Sequence, residues 1–457
     1  MIVMKFGGSS IESAEAIQRV AGIVAGRAER RPLVIVSAMG KTTNRLLDIG
    51  RTAITGNLDA ALSKLDDLRQ FHAIEAGAVV SPQAESAIET HLESHFRELA
   101  ELIRGLAILG EMSARSIDAL SSYGERLSSY IMTEALRARG MDAEHVDSRR
   151  VIVTDDRFSA AAPLREETDK RLAEHVQPLI DAGKIPVMGG FIASTMAGIT
   201  STLGRGGSDY TASLVGSSLS AEEIQIWTDV DGVLTADPSL LSAARRIRVL
   251  SFAEASELAY FGARVLHPST MLPAVRDNIP IRVLNSRRPD NEGTLIVAEH
   301  QAGQSIVKSV VYKENITVVE VLSTRMLMAH GFLAKIFEVF DRHHTSVDMV
   351  TTSEVSVSLT IDNTARLDAI VEELRQIAEV TPFSGQSMVC VVGDNIRYTP
   401  GIAAKLFTAL EQINIRMISQ GASRLNISLV VDEKELHATV EALHKTFFSQ
   451  VDEAVFA

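Results

Sequence analysis

The sequence is poor in the residues that stabilise small secreted proteins or build membrane proteins. Its 457 residues include one cysteine, Cys390, and one tryptophan. A single thiol excludes a disulfide within the chain, and its place in the apolar run 388–392 predicts a buried core thiol in a reducing compartment. No apolar stretch is long enough to span a bilayer, and the N-terminus lacks the features of a signal peptide. We therefore predict a cytoplasmic protein without a membrane partner.

Positive charge is also in deficit. Lysine and arginine total 45 against 58 acidic residues, which gives a net charge of -13. This balance argues against a nucleic-acid partner, because such proteins present a basic face. Zinc-type Cys/His spacings, a Walker loop, a Gly-x-Gly-x-x-Gly turn and a nucleophile elbow are all missing. Phosphoryl transfer requires none of these, since positioning and charge neutralisation supply most of its catalysis.

The most informative stretch that is present is residues 202–211, TLGRGGSDYT, which precedes a predicted helix over 210–219. Ser208 is predicted as its N-cap, and Asp209 suits the dipole of a first turn. Backbone N–H groups of such a loop can approach an anion, and Arg205 can grip a carboxylate or a phosphate. A plain glycine-rich loop that caps a helix is the alternative interpretation.

Strand and helix patterns alternate up to about residue 290. Apolar strands are predicted at 2–4, 33–36, 185–188 and 223–227, and a glycine-bearing or hydroxyl-rich turn follows each. The alternation predicts an α/β domain with a mostly parallel sheet and helices on both faces. Ligands of such sheets bind beyond the carboxyl ends of the strands, so the four turns predict a site at one edge.

The last third of the chain repeats itself. Residues 331–337, GFLAKIF, align without a gap with 401–407, GIAAKLF, and the same register brings Ser358 onto Ser428. Each repeat is predicted as strand, helix, two strands and helix, which is typical of a ferredoxin-like α+β domain. The predicted domains are an α/β domain at 1–290, a linker at 291–312 and two regulatory domains at 313–385 and 386–457.

Individual charged residues fit this site, although each has a second interpretation. Lys5 ends the first strand beside two glycines and can neutralise nucleotide phosphates, or it can be an ordinary strand-end lysine. Glu125 can bind a substrate ammonium or complement a helix dipole, and Asp209 can orient a lysine or serve the dipole alone. Asp229 and Asp231 suit a nucleotide or metal site, or merely an Asp-Gly turn.

Four segments together resemble the aspartate kinase signatures: residues 5–10 (KFGGSS), 203–211, 227–232 (WTDVDG) and 261–268 (FGARVLHP). The tandem repeat resembles paired ACT regulatory domains, and residues 346–357 are most similar to the monofunctional, lysine-sensitive type. The resemblance spans nearly the whole chain. It implies ATP-dependent phosphorylation of the L-aspartate side chain to 4-phospho-L-aspartate, the first step of the pathway to lysine, threonine and methionine.

The resemblance also implies roles for individual residues. Lys5 would neutralise the transferring phosphoryl group, and Asp209 would organise that lysine. The implied aspartate-binding residues are Ser37, Thr43, Glu125, Phe191, Arg205 and Ser208. The implied nucleotide-binding residues are Lys5, Gly7, Gly8, Thr228, Asp229 and Arg264. Mg²⁺ would be carried by ATP.

An effector site is implied in the first repeat. Its residues would be Met326, Gly331, Phe332, Leu333, Asp348, Thr352, Ser353 and Glu354. The carboxylates of Asp348 and Glu354 suit a basic ligand, so L-lysine is the expected effector. The second repeat has Ile418 and Arg424 at those positions, so it is expected to serve assembly into a homodimer or higher homo-oligomer.

This chain also departs from the resemblance at several positions. Arg264 stands where relatives often have lysine, and Leu234 where lysine-sensitive relatives have tyrosine. Met328 and Ala329 replace polar residues near the effector. Two other functions therefore stay open: a kinase for another small carboxylate or carbamate, and a catalytically inactive amino-acid sensor.

Overall fold

The computed structural model describes residues 1–262, 266–299, 306–323, 330–450 and 452–457. The chain divides into two compact units. The first unit is Met1–Val233 with Val265–Glu299, and the second is Leu234–Arg264 with His300–Ala457. The predicted order of an α/β region followed by ferredoxin-like α+β repeats is confirmed.

The helices and strands of both units are numbered in chain order. The helices are α1 Ala14–Ala25, α2 Thr42–Ile54, α3 Leu58–Gly77, α4 Glu85–Leu109, α5 Ala114–Ser121, α6 Tyr123–Ala138, α7 Arg165–His175, α8 Gln177–Asp181, α9 Gly207–Ser218, α10 Phe252–Tyr260, α11 Pro268–Arg276, α12 Phe332–Arg342, α13 Leu367–Leu374, α14 Ile402–Ala409 and α15 Leu436–Phe448. The strands are β1 Ile2–Phe6, β2 Pro32–Val36, β3 Ala143–Val146, β4 Val153–Thr154, β5 Ile185–Gly189, β6 Ile192–Thr195, β7 Thr200–Thr202, β8 Glu223–Thr228, β9 Val249–Ser251, β10 Ile281–Asn285, β11 Thr294–Val297, β12 Val307–Leu322, β13 Val350–Thr352, β14 Ser356–Ile361, β15 Glu379–Gly393, β16 Ile415–Gln420 and β17 Asn426–Asp432.

The main sheet of the first unit runs in the order β3-β5-β2-β1-β8-β10-β11. All neighbours are parallel except β10 and β11, which pair antiparallel. Every residue of β1, β2 and β5 is buried, as expected for parallel strands covered on both faces. The carboxyl ends of β1, β2, β5 and β8 therefore meet at one edge, which confirms the predicted arrangement of the four turns.

Alternation along β1 decides which side chains face the site. Ile2, Met4 and Phe6 belong to the hydrophobic core that also contains residues of α1 and α6. Lys5 must point the other way, because successive strand residues face opposite sides of a sheet. On that side α9 packs against β1 and β8. The alternation along β1 thus places Lys5 on the face of the sheet that α9 covers.

Residues 234–264 belong to the second unit rather than to a continuous N-terminal domain. Side-chain contacts explain this placement: Glu257 on α10 accepts hydrogen bonds from Ser423 Oγ (2.7 Å) and Asn426 Nδ2 (2.5 Å). At the start of the segment, Thr235 Oγ1 lies 2.9 Å from His444 Nε2. These contacts span long sequence separations, which local patterns do not reveal.

The second unit forms a sheet in the order β13-β14-β12-β15-β17-β16. The first part of β12 pairs with the end of β15, and the last part of β12 pairs with the start of β15, so these long strands serve both repeats. The predicted linker, 291–312, thus contains β11 and the beginning of β12. The aligned glycines Gly331 and Gly401 cap α12 and α14 with φ of 78° and 85°, a conformation that favours glycine. The sequence repeat is therefore also a structural one.

The remaining composition-based predictions concern Cys390 and the membrane. Cys390 lies fully buried in β15, where burial raises the pKa of its thiol. The Ser428 hydroxyl donates to its sulfur over 3.4 Å, which fits the predicted core thiol. In the part of the chain that the structure describes, no helix is both long enough and apolar enough to cross a bilayer.

Candidate active site

A cavity of about 310 Å³ lies at the carboxyl edge of the sheet in the first unit. Its lining comes from the ends of β1, β2 and β5 and from α2, α6 and α9. The lining residues are Lys5, Ser37, Thr43, Glu125, Phe191, Gly204, Gly206, Gly207, Ser208 and Asp209. The structure thus brings together both predicted catalytic residues and five of the six predicted aspartate-binding residues.

Arg205 is the predicted aspartate-binding residue that does not line the cavity. Its side chain is exposed on the loop between β7 and α9. The glycines on either side, Gly204 and Gly206, line the cavity, and both have positive φ. The guanidinium is therefore carried by a loop at the cavity wall, while the backbone beside it forms that wall.

Lys5 and Asp209 form an ion pair within the cavity. Lys5 Nζ lies 2.7 Å from Asp209 Oδ1, and the two side chains are 11% and 16% exposed. Partial burial strengthens such a pair, because nearby solvent screens it less. Asp209 also lies in the first turn of α9, where the helix dipole stabilises a carboxylate. The pair fixes the position of one ammonium group at the edge of the sheet.

The start of α9 differs from the prediction. Gly206, with φ of 72°, is the N-cap, and Ser208 lies within the first turn. The predicted N-cap at Ser208 is therefore wrong, because the left-handed glycine turns the chain into the helix two residues earlier. The Ser208 hydroxyl instead accepts a hydrogen bond from Ser37 Oγ over 3.1 Å. This contact joins the loop after β2 to α9 across the cavity wall.

Glu125 is almost completely buried, with 3% exposure. Its Oε1 accepts a hydrogen bond from the Ala38 N–H over 3.1 Å. Its Oε2 has no hydrogen-bond partner among the residues that the structure describes. Burial raises the pKa of Glu125 to about 8, although Lys5 acts in the opposite direction. The site therefore contains a carboxyl group that lacks a cation next to its second oxygen.

Two glycines allow Glu125 to reach the cavity. A Cβ on Gly124 would lie 2.6 Å from Ala38 Cβ, and a Cβ on Gly189 would lie 2.9 Å from Glu125 Cβ. Any larger residue would push α6 away from the loops that follow β2 and β5. These glycines thus hold the carboxyl group at the sheet edge through close packing.

Phe191 adopts a left-handed backbone conformation, with φ of 65°. Such a conformation costs a non-glycine residue about 1 kcal/mol or more, so neighbouring contacts must maintain it. The Phe191 N–H donates to Thr211 Oγ1 on α9 over 3.0 Å. Its ring packs so closely on Gly207 that a Cβ there would lie 2.7 Å from the ring. The loop after β5 is therefore fixed by α9.

The predicted nucleotide-binding loops follow β1 and β8. The Gly7 N–H donates to the Trp227 carbonyl over 3.1 Å, and a Cβ on Gly8 would lie 2.8 Å from the Ala38 carbonyl oxygen. Thr228 is half-buried and donates through Oγ1 to the exposed Asp229 over 3.1 Å. These loops place backbone groups beside Lys5. The other predicted nucleotide contact, Arg264, lies outside the described residues.

Comparison with known proteins decides the family. The amino acid kinase family matches residues 1–285, and an ACT domain matches residues 389–447. Aspartokinase 1, chloroplastic, of Arabidopsis thaliana is 41% identical over 98% of this chain and 80% of its own length. The chain belongs to the aspartokinases. Lysine-sensitive aspartokinase 3 of Escherichia coli is 36% identical, over 98% of this chain and 99% of its own.

Solved aspartokinase structures resemble the chain over nearly its whole length. E. coli aspartokinase III in complex with aspartate and ADP (R-state) superposes with a TM-score of 0.84, covering 98% of this chain and 100% of that one. The same enzyme in complex with lysine and aspartate (T-state) gives 0.83, covering 98% and 99%. Membership confirms the predicted kinase activity class, ATP-dependent phosphorylation of aspartate. The roles of individual residues stay predictions.

Sequence patterns did not single out two residues that shape this aspartokinase site. Asp118 on α5 is fully buried, and its carboxylate accepts hydrogen bonds from the Ser159 N–H, the Thr202 N–H and the Thr202 hydroxyl. It thereby anchors β7 just before the glycine-rich loop. Ser128 donates to the Ser37 carbonyl over 2.8 Å and holds the loop after β2. Single polar residues inside helices carry no distinguishing signal in one sequence.

In the second unit, the predicted effector residue Asp348 already has partners. Its side chain is 7% exposed, and Oδ1 lies 3.3 Å from Lys313 Nζ and 3.2 Å from the Tyr260 hydroxyl. Lys313 Nζ also lies 4.8 Å from the centre of the Tyr260 ring and 3.6 Å from Asp362. Burial and the Asp348 charge raise the pKa of Tyr260 to about 12. A lysine of the chain itself therefore occupies one oxygen of this carboxylate.

The other predicted effector residues fall at two places. Gly331, Phe332 and Leu333 form the start of α12. Thr352 ends β13, and Ser353 and Glu354 are exposed in the turn that follows. Met326 lies outside the described residues.

Proposed function

We propose that this aspartokinase phosphorylates L-aspartate in the first-unit cavity. An oxygen of the aspartate side-chain carboxylate forms a bond to the γ-phosphorus of ATP while the bond from that phosphorus to the β-phosphate bridging oxygen breaks, and ADP leaves. The observation that carries the proposal is the Lys5–Asp209 ion pair in the same cavity as the buried Glu125. One group suits a transferring phosphoryl group, and the other suits an amino-acid ammonium.

The roles divide between charge neutralisation and substrate positioning. Lys5 neutralises charge on the transferring group, where a preformed cation lowers the barrier without reorganisation. Asp209 acts as a positioning residue through Lys5. Glu125 binds the substrate ammonium, and Arg205 grips a substrate carboxylate from its loop. Ser37, Thr43, Phe191 and Ser208 complete the contact surface for aspartate.

The nucleotide lies along the loops after β1 and β8. Its contacts come from Gly7, Gly8, Thr228, Asp229 and Arg264. Mg²⁺, when bound with ATP, supplies positive charge along the phosphates. Within the described residues, no group of three or more His, Cys, Asp or Glu side chains could hold a metal ion.

A direct test traps the acyl phosphate product with hydroxylamine in the presence of ATP, Mg²⁺ and L-aspartate. Lys5→Met should lower kcat by about 100-fold to 1,000-fold, the usual effect of removing one preorganised charge-stabilising group. Lys170→Met, at an exposed position on α7, is the matched control and should retain normal turnover. Near-normal product formation by Lys5→Met would remove this lysine from the mechanism.

We also propose that L-lysine binds at Asp348 in the second unit and favours a state with low activity. One oxygen of Asp348 is held by Lys313 and Tyr260, while Oδ2 has no hydrogen-bond partner within the described ranges. The effector ammonium competes with Lys313 for this carboxylate. A ligand shifts the equilibrium between an active and a less active state only by the difference in its affinity for the two states. Displacing Lys313 lowers the affinity of lysine for the less active state, so it also limits the degree of inhibition. Lysine titration of the hydroxylamine assay tests the proposal.

Assembly and location complete the proposal. The two ACT-like repeats pair chains into a homodimer or larger homo-oligomer, and the protein acts in the cytoplasm. Light scattering after size-exclusion chromatography would test the first statement, because a monomer at micromolar concentration would contradict it.

A further inference from the structure

A second cavity, of about 300 Å³, lies in the first unit near the active site. Its wall contains three histidines, His91, His95 and His145, and three arginines, Arg126, Arg149 and Arg150. The histidines come from α4 and β3, and the arginines from α6 and the short helical turn after β3. The roles proposed above for the active site use none of these side chains.

Arginine charge exceeds acidic charge in this wall. Arg149 is neutralised by Asp147, with Nη2 2.6 Å from Oδ2 and Nε 3.0 Å from Oδ1. Arg126 pairs through Nη2 with Glu98, a half-exposed residue 3.1 Å away. Arg150 adds a third positive charge at an exposed position. Two carboxylates thus face three guanidinium groups, which leaves one positive charge in excess.

Two buried polar atoms of the wall lack hydrogen-bond partners among the described residues. They are Arg126 Nε and His91 Nε2. We assign to neutral His91 the tautomer that presents a lone pair at Nε2, whereas Arg126 presents an N–H at Nε. Buried polar atoms are normally satisfied, so a ligand with one anionic oxygen and one hydroxyl would complete the wall.

The histidine rings lie close to one another, and His91 stacks on Tyr130. The His91 ring lies 3.7 Å from the Tyr130 ring and 4.1 Å from the His95 ring, measured between centres. Burial lowers the pKa of His91 to about 3 and that of His145 to about 4, and the neighbouring histidines and arginines act in the same direction. At neutral pH the positive charge of the wall is thus that of the arginines, and His91 is an acceptor.

We propose that this cavity binds a phosphate group. Phosphate oxygens accept from Arg126 Nε–H and lie among the three arginines, while the remaining P–OH donates to His91 Nε2. A cavity of about 300 Å³ is about ten times the share of one water molecule, so it also holds a small organic group. Inorganic phosphate supplies this P–OH itself, whereas a small phosphomonoester, mainly a dianion at neutral pH because its second pKa is about 6, donates instead through a hydroxyl of its organic group. Sulfate, which carries no proton at neutral pH, leaves His91 unsatisfied.

The cavity shares its supports with the active site. Arg126 directly follows Glu125 on α6, and Ile192, which lines the cavity, directly follows Phe191. Ser148, also in the wall, donates to the Gly189 carbonyl at the end of β5. A bound phosphate group therefore stiffens the elements that position Glu125 and Phe191, and it should lower the KM for aspartate. This link to catalysis rests on the proposed function, whereas binding itself does not.

Isothermal titration calorimetry on the full chain, with the nucleotide site filled by ADP, tests the proposal. Inorganic phosphate and glycerol 3-phosphate are titrated separately, and tighter binding of one identifies the source that the cavity prefers. Sulfate is expected to bind at least about fivefold more weakly than phosphate, because it lacks one hydrogen bond.

Matched variants locate the binding site. His91→Phe retains the ring stack but removes Nε2, and Arg150→Gln removes an exposed charge with little risk to folding. Each should weaken phosphate binding about fivefold or more. Arg375→Gln, an exposed charge change in the second unit, should bind as the wild type does.

Absence of binding by both phosphate ligands, or unchanged affinity in both His91→Phe and Arg150→Gln, would overturn the proposal. A failed hydroxylamine assay with intact phosphate binding would instead count against the proposed function alone.

Discussion

Among the carboxylates predicted to bind the ammonium of an amino acid, Glu125 in the first unit and Asp348 in the second are buried, and their surroundings differ. Glu125 in the first unit has a single backbone N–H on one oxygen and no hydrogen-bond partner for the other within the described residues. Asp348 in the second unit also has one oxygen without a hydrogen-bond partner there, Oδ2, but its Oδ1 already pairs with Lys313 and Tyr260. The catalytic unit thus leaves its buried carboxyl group without a paired cation, whereas the regulatory unit pairs its own carboxylate with a lysine.

The difference has a consequence for binding energy. Burying an ionised carboxylate without a cation costs free energy, so either its pKa rises or it binds a cationic ligand. A ligand ammonium at Glu125 gains the whole charge pair. At Asp348 an incoming ammonium exchanges for one already present, so the net gain is the difference between two similar pairs. We therefore expect substrate binding to depend strongly on Glu125, and effector binding to depend on what competes for Asp348.

Among changes at these two carboxylates and their partners, the largest effect is expected for Glu125→Gln. The KM for aspartate should rise about 100-fold, because a charged hydrogen bond contributes up to about 3 kcal/mol. Steady-state kinetics with the hydroxylamine assay measures this. Glu134→Gln, on the same helix but paired with Arg137, is the matched control and should leave the KM unchanged. A normal KM in Glu125→Gln would mean that the open carboxylate does not bind the substrate.

A smaller effect is expected for Lys313→Met. Removing the internal cation leaves Asp348 for the effector alone, so the lysine concentration for half-inhibition should fall about tenfold, equivalent to about 1.4 kcal/mol. Lys405→Met, an exposed lysine on α14 of the second repeat, is the control. If Lys313→Met instead abolishes the lysine response, Lys313 is part of the effector site rather than its competitor.

The smallest effect is expected for Tyr260→Phe. This change removes one hydroxyl that donates to Asp348 over 3.2 Å and keeps the ring next to Lys313. A neutral donor to a carboxylate that Lys313 already pairs is worth about 0.5 kcal/mol, so the lysine concentration for half-inhibition should fall about twofold. If half-inhibition shifted more in Tyr260→Phe than in Lys313→Met, Tyr260 rather than Lys313 would be the stronger competitor for Asp348.

Features with a repeating sequence pattern could be predicted. The buried strands with polar turns determine the sheet edge, so Lys5, Ser37, Glu125 and Asp209 meet there as the pattern indicated. The aligned glycines Gly331 and Gly401 predicted the repeat, because both must start a helix from a left-handed conformation.

Features that depend on a single distant contact could not be predicted. Lys313 meets Asp348, 35 residues away, only because β12 brings it there. Asp118 meets Thr202 across 84 residues, and no motif contains Asp118. Ser208 was predicted as a cap from local preference, but Gly206 takes that role because its positive φ starts the helix earlier. Such contacts are decided by the tertiary structure.

The central claim is that Glu125 is an open carboxylate that substrate ammonium completes. Burial raises its pKa to about 8 in the free protein, so below that pH the carboxyl is mainly protonated, and aspartate binding must release a proton. The raised pKa also means that the contribution of Glu125 to folding stability is greatest near or below the ordinary glutamate pKa of about 4.3 and falls as pH rises towards 8. Glu125→Gln should remove this dependence.

The most direct measurement is the aspartate dissociation constant as a function of pH, by calorimetry, in the wild type and in Glu125→Gln. Succinate, which lacks the ammonium, is the ligand control. The account predicts that wild-type affinity for aspartate rises about tenfold from pH 6 to pH 7, more slowly towards pH 8, and then levels off. The rise should be absent in Glu125→Gln and with succinate. A flat wild-type profile, or an equal rise for succinate, would contradict the claim.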